Sequence, residues 1–273
     1  MKILLIGRNG QVGWELARLL PALGELRATA REDLDLADAD AVRRAVREAR
    51  PELIVNAAAY TAVDKAESEP ELAMRINGIA PGVMAEEAKR AGALLVHYST
   101  DYIFDGAKRA AYVEDDAPAP LNAYGRTKLA GELAIRESGC RHLILRTSWV
   151  YGPRGRNFYL TIAAKAAKGE PLRVVDDQRG VPTSSRFLAE QTLALLARDT
   201  SGSLHLVPGG ETTWFGFARE IVQLKRSPSE VRPIRSGEFP AAARRPANSV
   251  LDNRKAAALL GPLPQWKELL WTL

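Results

Sequence analysis

The sequence predicts an α/β protein built on a doubly wound parallel sheet, with a smaller and less regular C-terminal part. In residues 1–150, short apolar runs alternate with helical patterns, as repeated strand–helix–strand units require. A glycine-rich loop follows the first apolar run directly. After about residue 150 the alternation becomes less regular and a proline- and arginine-rich stretch appears, which is typical of loops that build a binding pocket.

Five short runs in the first half have the length and composition of strands. They cover residues 2–6, 25–30, 52–59, 93–99 and 142–148. Helical patterns fill the intervals, over residues 11–23, 38–50, 69–92 and 122–138. Because parallel strands need crossover helices of this length, the order predicts a Rossmann-like sheet in residues 1–150.

The second half contains fewer clear elements. Helical patterns cover residues 157–169 and 212–224, residues 172–199 give a strand, a loop and a helix, and residues 203–210 give another strand. Residues 232–253 follow neither period and predict a loop. We assign residues 151–273 mainly to substrate binding, with some segments returning to the Rossmann sheet.

Charge and composition exclude several classes of protein. The net charge of +5 comes from Lys and Arg spread among Asp and Glu, which indicates a solvated surface that attracts small anions and not a nucleic-acid-binding protein. No apolar run approaches the roughly 18 residues of a membrane span, and Met1 and Lys2 lead into a strand without a signal peptide. We expect a cytoplasmic protein without a membrane partner. The single cysteine, Cys140, and three histidines have no metal-ligand spacing.

The loop Gly7-Arg8-Asn9-Gly10-Gln11-Val12-Gly13 lies between a strand and a helix. In that position the backbone amides of the helix N-terminus can approach a pyrophosphate. Gly7 suits the tight turn, Gly10 the close approach, and Gly13 the packing of helix on strand. The loop therefore predicts that residues 1–150 form a dinucleotide-binding domain; the alternative is a purely structural turn.

The end of the second strand indicates which dinucleotide is bound. An acidic residue there would bind the adenosine ribose hydroxyls, but the sequence has Ala30 at the tip, followed by Arg31. A 2′-phosphate would not be repelled, and Arg31 could pair with it. The sequence favours NADPH over NADH; the alternative is that Arg31 is merely exposed.

Tyr124 and Lys128 lie four residues apart on a predicted helix, so both side chains share one face. Thr100 follows the fourth strand, at the edge of the sheet where such folds bind their ligands. A phenol titrates near pH 10, and a nearby cation would lower its pKa. We predict that Tyr124, Lys128 and Thr100 are catalytic and that Lys128 acidifies Tyr124; the alternative is an ordinary exposed pair. Together these residues resemble the Ser/Thr–Tyr–Lys triad of the short-chain dehydrogenases/reductases.

Longer strings narrow the resemblance. The G-x-x-G-x-x-G spacing is similar to that of the extended short-chain dehydrogenases/reductases, and residues 56–77, 97–106, 120–132, 145–152, 177–183 and 245–252 resemble the dTDP-4-dehydrorhamnose reductase family. This resemblance implies NADPH-dependent reduction of the 4-keto group of dTDP-4-dehydro-L-rhamnose to dTDP-L-rhamnose, with NADH as the alternative cofactor. Related dehydratases carry Thr-Asp-Glu where this chain has Thr100, Asp101 and Tyr102, which favours simple carbonyl reduction.

The resemblance also implies roles for individual residues. The expected cofactor contacts are Gly10, Gln11, Val12, Asp35, Leu36, Ala59, Tyr60, Thr61, Tyr98, Tyr124 and Lys128. Thr100, Asp101, Tyr102 and Trp149 are expected to contact the nucleotide sugar, and Arg245 its diphosphate. For Trp149 the alternative is core filling, and for Arg245 a surface position.

Some family members bind Mg²⁺ through glutamates at a dimer contact, so a homodimer is one expectation. Glu15 is present, but Arg186 stands where an acidic ligand is expected, so we predict no metal. Two other functions stay open: a different nucleotide-sugar 4-keto reductase or epimerase, and a non-catalytic NADP-binding regulatory subunit resembling methionine adenosyltransferase β.

Overall fold

A computed structural model describes residues 1–272 of the chain. Its strands are β1 (Lys2–Ile6), β2 (Glu25–Thr29), β3 (Leu53–Asn56), β4 (Leu94–Thr100), β5 (His142–Thr147), β6 (Val150–Tyr151), β7 (Leu172–Val175), β8 (Arg179–Gly180), β9 (Thr183–Ser184), β10 (Gly202–His205), β11 (Thr212–Thr213) and β12 (Val231–Ile234). Six of them form one sheet in the order β10-β5-β4-β3-β1-β2. All five pairings within it are parallel, which confirms the predicted doubly wound α/β sheet.

Eleven α-helices lie within the described residues. They are α1 (Gln11–Leu19), α2 (Ala39–Ala49), α3 (Val63–Ser68), α4 (Pro70–Met74), α5 (Ala80–Ala91), α6 (Ala123–Ser138), α7 (Phe158–Ala167), α8 (Ser185–Leu196), α9 (Trp214–Leu224), α10 (Arg254–Leu260) and α11 (Trp266–Trp271). None of the helices in this part of the chain has both the length and the apolarity needed to cross a membrane.

The sheet is buried on both faces, which explains why its strands are continuous apolar runs. On one face Leu5 and Val96 pack with residues of α1 and α8. On the other face Leu4, Ile54 and Leu95 pack with residues of α2, α5 and α6. This packing fixes the carboxyl ends of β1, β3 and β4 side by side at one edge.

The C-terminal half has its own apolar core, centred on aromatic side chains. Tyr151, Phe217 and Trp266 pack together with residues of α7, α9 and the β7–β12 pair. The strand β10, in contrast, pairs with β5 and extends the large sheet.

Two predicted boundaries are wrong. Strand β3 ends at Asn56 and not at residue 59, because the Asn56 side chain accepts a hydrogen bond from the Ala58 amide and turns the chain out of the sheet. Part of the predicted loop over residues 232–253 forms β12, which pairs in parallel with β7. Pro233 is tolerated there because β12 is one edge of a two-stranded sheet.

The predicted helix over residues 69–92 is interrupted by one π-helical segment, Arg75–Ile79, between α4 and α5. Pro81 has no N–H to bond the Asn77 carbonyl, which would be its helical partner. A Cβ at Gly131 of α6 would lie 2.2 Å from that carbonyl oxygen, so Gly131 allows α6 to pack directly on the widened turn. The contact fixes α6, the helix that carries Tyr124 and Lys128.

Candidate active site

A cavity of about 750 Å³ opens where the carboxyl ends of β1, β3, β4 and β5 meet. Most of the predicted site residues line it: Gly7, Gly10, Gln11, Val12, Arg31, Asp35, Leu36, Ala59, Tyr60, Thr61, Tyr98, Thr100, Asp101, Tyr102, Tyr124, Lys128 and Trp149. Gly13 and Arg245 are not among the lining residues. The structure therefore brings the predicted cofactor, catalytic and substrate residues to one continuous space.

The glycine loop has the geometry that a dinucleotide requires. Gly7 has a φ of +93°, and a Cβ there would lie 2.8 Å from the Ala58 amide nitrogen, so a larger residue would be both strained and blocked. Gly10 caps α1 without a side-chain hydrogen bond, which leaves the first amides of the helix available to an anion. A Cβ at Gly13 would lie 2.0 Å from the Gly7 carbonyl oxygen. Gly13 thus shapes the loop from behind, and the site fits a bound pyrophosphate.

The two acidic side chains that follow Arg31 directly, Glu32 and Asp33, do not line the cavity and have partners outside the Arg31 side chain. The Asp33 carboxylate accepts a hydrogen bond from the Ala30 amide and pairs with Arg8 at 3.1 Å. Glu32 accepts a hydrogen bond from Asn9. Arg31 lines the cavity and makes no ion pair within residues 1–272. This arrangement leaves a guanidinium where the sequence predicts recognition of a 2′-phosphate.

Tyr124 lies on the first turn of α6, which Asn122 caps by accepting a hydrogen bond from the Gly125 amide. A Cβ at Gly125 would lie 2.2 Å from the Tyr102 carbonyl oxygen, so the helix start packs against the segment after β4. Thr100 ends β4 and Asp101 begins that segment, and the Thr100 hydroxyl donates to Asp101 Oδ1 at 3.0 Å. The fold therefore places the half-buried Tyr124 close to the buried Thr100 and Asp101.

The pKa values of Tyr124 and Asp101 are both shifted. Burial raises the pKa of Tyr124 to about 12, the Asp101 charge adds to the rise, and an interaction with Thr100 opposes it. The amine of Lys128 is bonded to the Tyr98 carbonyl oxygen at 2.6 Å and is not among the groups that shift the Tyr124 pKa, so its acidification of Tyr124 stays a prediction. Burial also raises the pKa of Asp101 to about 7, and its Oδ2 has no hydrogen-bond partner within residues 1–272.

Lys128 is almost fully buried. Burial lowers its pKa to about 8, against an opposing effect of Glu132 one turn further along α6. Besides the Tyr98 carbonyl, its amine lies 3.1 Å from His97 Nε2. A buried lysine of this kind can change its protonation state near neutral pH.

Two tryptophans form the wall on the side of the C-terminal half. The rings of Trp149 and Trp214 stack with centroids 3.6 Å apart and an interplanar angle of 7°. Trp149 has a φ of +48°, and its ring packs so closely on Gly180 that a Cβ there would lie 2.4 Å from it. The Trp149 indole nitrogen is buried and has no partner within the described residues. Trp149 thus packs against its neighbours and also lines the cavity, with an indole N–H that is not used within the described residues.

Arg245 and Arg186 are held by neighbouring carboxylates. Arg245 pairs with Asp64 of α3 at 2.7 Å. Arg186 pairs with Glu190 at 2.8 Å, and the charge of Glu15 adds to the rise in the pKa of Arg186. Within residues 1–272, no group of three or more His, Cys, Asp or Glu residues could hold a metal ion. The predicted roles of Arg245 and the predicted lack of a metal both stay predictions.

Sequence reasoning missed several residues of the site. Trp214, Ser148 and Arg156 line the cavity; Trp214 and Arg156 come from segments with no motif, and Ser148 lies within residues 145–152 but was given no role. Asn77 holds the cavity wall because its side chain bonds both the amide and the carbonyl of Tyr60, at 2.8 and 3.0 Å. Only the spatial neighbourhood reveals these roles, since each depends on contacts between distant parts of the chain.

The fold and the cavity define the class: an oxidoreductase with the architecture of the short-chain dehydrogenases/reductases. The family model described as RmlD substrate binding domain matches residues 1–273. A dTDP-4-dehydrorhamnose reductase from Burkholderia thailandensis is 46% identical, over 98% of this chain and 96% of that protein. The chain belongs to the dTDP-4-dehydrorhamnose reductase family, which confirms the predicted family and enzyme class.

Solved structures agree with this assignment. A dTDP-4-dehydrorhamnose reductase from Clostridium acetobutylicum superposes with a TM-score of 0.95 at 38% identity, covering 100% of this chain and 98% of that chain. The enzyme of the same name from Bacillus anthracis, solved in complex with NADP, gives a TM-score of 0.93 at 37% identity, with 98% and 97% coverage.

Proposed function

We propose that this protein uses NADPH to reduce the 4-keto group of dTDP-4-dehydro-L-rhamnose, giving dTDP-L-rhamnose for nucleotide-sugar biosynthesis. The observation that carries the proposal is the placement of Tyr124, Lys128 and Thr100 in the same cavity as the uncapped start of α1. Full-length similarity to reductases of this name supports the substrate, and the NADP complex of a relative supports the cofactor.

The protein's own groups are suited to the proton half of the reaction. NADPH, when bound, supplies the hydride. Because the pKa of Tyr124 is raised to about 12, its hydroxyl stays protonated at neutral pH and can donate when negative charge develops on the sugar oxygen. Lys128 then stabilises the phenolate, and Thr100 aligns the carbonyl. Tyr124 is therefore protonated before the reaction, as a proton donor must be.

Tyr102 argues against a dehydratase. Its pKa is raised further by burial and by the Asp101 charge, so it cannot replace a catalytic glutamate as a base. The substrate class is tested by a panel of 4-keto and 4-hydroxy nucleotide sugars, followed through NADPH absorbance. We expect turnover with dTDP-4-dehydro-L-rhamnose; exchange of stereochemistry without net NADPH loss would identify an epimerase, and lack of any turnover would favour a regulatory subunit.

Replacing Arg31 by alanine is expected to weaken the binding of NADPH but not that of NADH. A charge-assisted contact to a phosphate contributes about 1.5–3 kcal/mol, so the KM for NADPH should rise about 10- to 100-fold while the KM for NADH changes little. The matched control is Arg44→Ala, which removes an exposed arginine of α2 outside the cavity. Equal effects on both cofactors would contradict the role of Arg31.

Replacing Trp214 by alanine is expected to weaken substrate binding. The change removes the aromatic partner of Trp149, and such pairs contribute about 0.5–1.5 kcal/mol beyond buried area. The KM for the nucleotide sugar should rise about 3- to 10-fold, with the KM for NADPH unchanged. Trp271→Ala, at an exposed position, is the control. An unchanged sugar KM would leave Trp214 as core filling.

We also propose that the protein acts in the cytoplasm on a free nucleotide sugar. It would do so as a homodimer, without nucleic-acid or membrane partners. Asp101, Tyr102, Trp149 and Arg245 remain the proposed substrate contacts. Sedimentation of the purified protein tests the dimer, with a monomer at all accessible concentrations as the contradicting result.

A further inference from the structure

A fully buried histidine lies directly beneath Lys128 and has no part in the mechanism above. His97, on β4, places Nε2 at 3.1 Å from the Lys128 amine and Nδ1 at 3.0 Å from Asn56 Nδ2. All three side chains are at most 1% exposed. The Asn56 Oδ1 is occupied, since it accepts a hydrogen bond from the Ala58 amide at 3.2 Å.

This chain of contacts contains too many donors if Lys128 is an ammonium. A neutral imidazole offers one donor and one acceptor nitrogen. The Asn56 NH₂ group and a charged lysine can only donate, so the two neighbours of His97 would compete for one acceptor. An imidazolium would be worse, and burial together with the Lys128 charge holds the pKa of His97 well below its ordinary value.

Two arrangements satisfy both His97 ring nitrogens and the Lys128 amine. In the first, His97 Nδ1 accepts from Asn56, and Nε2–H donates to a neutral Lys128 amine. In the second, Asn56 rotates its amide, Nδ1–H donates to Oδ1, and Nε2 accepts from a Lys128 ammonium. The second arrangement loses the bond from the Ala58 amide, and Ala58 forms part of the cavity wall.

We propose that His97 is a positioning residue whose tautomer follows the protonation of Lys128, with the Asn56 amide rotating between the two arrangements. The imidazole proton moves between Nδ1 and Nε2, and the ring stays neutral throughout. When the Lys128 ammonium passes a proton to the Tyr124 phenolate and regains one from solvent, its amine remains hydrogen-bonded to the same neighbour. The inference rests on the proposed function only for the consequence, which is that Lys128 keeps its position in the cavity wall in either protonation state.

The surroundings of Lys128 support a local exchange. The ionisable groups around it are Tyr124 and Glu132 on α6, His97 and Tyr98 on β4, Asp101 after β4, and Arg146 on β5. Glu132 is paired with Arg146 at 2.8 Å, and the Tyr98 hydroxyl is bonded to Thr192 at 2.6 Å. His97 is therefore the one side chain in this group that contacts the Lys128 amine directly and can change its proton arrangement without changing charge.

The direct test is nitrogen NMR of the histidine rings in the whole protein, with no substrate present. The chain has only three histidines, and His97→Gln and His142→Gln assign their signals by difference. We expect His97 to carry its proton on Nε2 at alkaline pH and on Nδ1 at acid pH, with a midpoint near 8, where Lys128 titrates. A single tautomer throughout, or an imidazolium signal, would overturn the proposal.

Asn56→Asp provides the second arm. A carboxylate can accept from the Ala58 amide and from Nδ1–H at once, so it should lock the Nδ1–H tautomer at every pH. The alkaline limb of the kcat profile should also move upward by about one pH unit, because the lysine stays charged. Asn56→Ala removes the same amide without adding charge, so it should not lock the Nδ1–H tautomer. An Nε2–H signal in Asn56→Asp would contradict the proposal even if the enzyme had another substrate, and the wild-type titration decides the matter if this variant does not fold.

Discussion

Replacing Tyr124 by phenylalanine is expected to reduce kcat by about 10²- to 10⁴-fold, which is the usual contribution of a positioned proton donor. The phenyl ring still fills the same place in the cavity, so the KM for NADPH should change little. The loss of kcat should persist across the neutral pH range, because the raised pKa of Tyr124 keeps the wild-type hydroxyl protonated throughout it. Stopped-time assays of NADPH consumption measure the effect.

The matched control is Tyr151→Phe. The Tyr151 hydroxyl is buried, lies outside the cavity lining, and has no hydrogen-bond partner within residues 1–272. Removing it deletes the same chemical group without touching the proposed chemistry, so kcat should stay near the wild-type value. Equal rates for Tyr124→Phe and the wild type would remove Tyr124 from the mechanism.

The largest expected effect on stability comes from the ion pair behind the site. Glu132 and Arg146 are both at most 2% exposed, and Arg146 binds the carboxylate through Nε at 3.0 Å and Nη2 at 2.8 Å. Glu132→Leu leaves the Arg146 guanidinium buried without its carboxylate. Such uncompensated buried charges cost about 3–5 kcal/mol in the free energy of unfolding. Urea denaturation of the variant and the wild type gives the difference.

The double variant Glu132→Leu, Arg146→Met should recover much of that loss, because a buried ion pair and a well-packed apolar pair differ far less in stability than a pair and a single buried charge. Glu190→Gln is the surface control, since it breaks the exposed Arg186–Glu190 pair, and such pairs contribute about 0.3–0.5 kcal/mol. If the double variant were as unstable as the single one, the loss of stability would come from losing the ion pair itself and not from the unpaired charge of Arg146.

The same pair predicts a loss of stability in acid. Desolvation opposes the charged form of Glu132, but Arg146 outweighs it and the pKa of Glu132 is lowered overall. A lowered carboxyl pKa contributes stability above the pKa of the unfolded chain, and that stability is lost as pH falls through the folded pKa.

The large sheet could be predicted because its signal is local. Strands β1, β2, β4 and β5 are short apolar runs between helical patterns, and each lies within about one residue of the predicted range. The spacing of Tyr124 and Lys128 is equally local, since one turn of helix is enough to place both on one face. The cofactor loop gives the same kind of signal, because its glycines follow a strand directly.

The remaining features depend on contacts that no periodicity encodes. The contact between His97 and Lys128 joins β4 to α6, and the Trp149–Trp214 stack joins residues from either side of the C-terminal core. The sign of the Tyr124 pKa shift was beyond sequence reasoning for the same reason, because it depends on burial and on where the Lys128 amine points. Spacing could place a cation near Tyr124, but only the packed structure shows that the amine is bonded elsewhere.

The central claim is that this cavity joins a bound nicotinamide and a Tyr124 proton at one sugar ketone. The most direct measurement uses NADPH labelled with deuterium at its transferable position and dTDP-4-dehydro-L-rhamnose, with mass and NMR analysis of the product. The account predicts dTDP-L-rhamnose with one deuterium on C4, formed by the wild type and lost in Tyr124→Phe. Product without deuterium at C4, or no consumption of this substrate by the wild type, would contradict it.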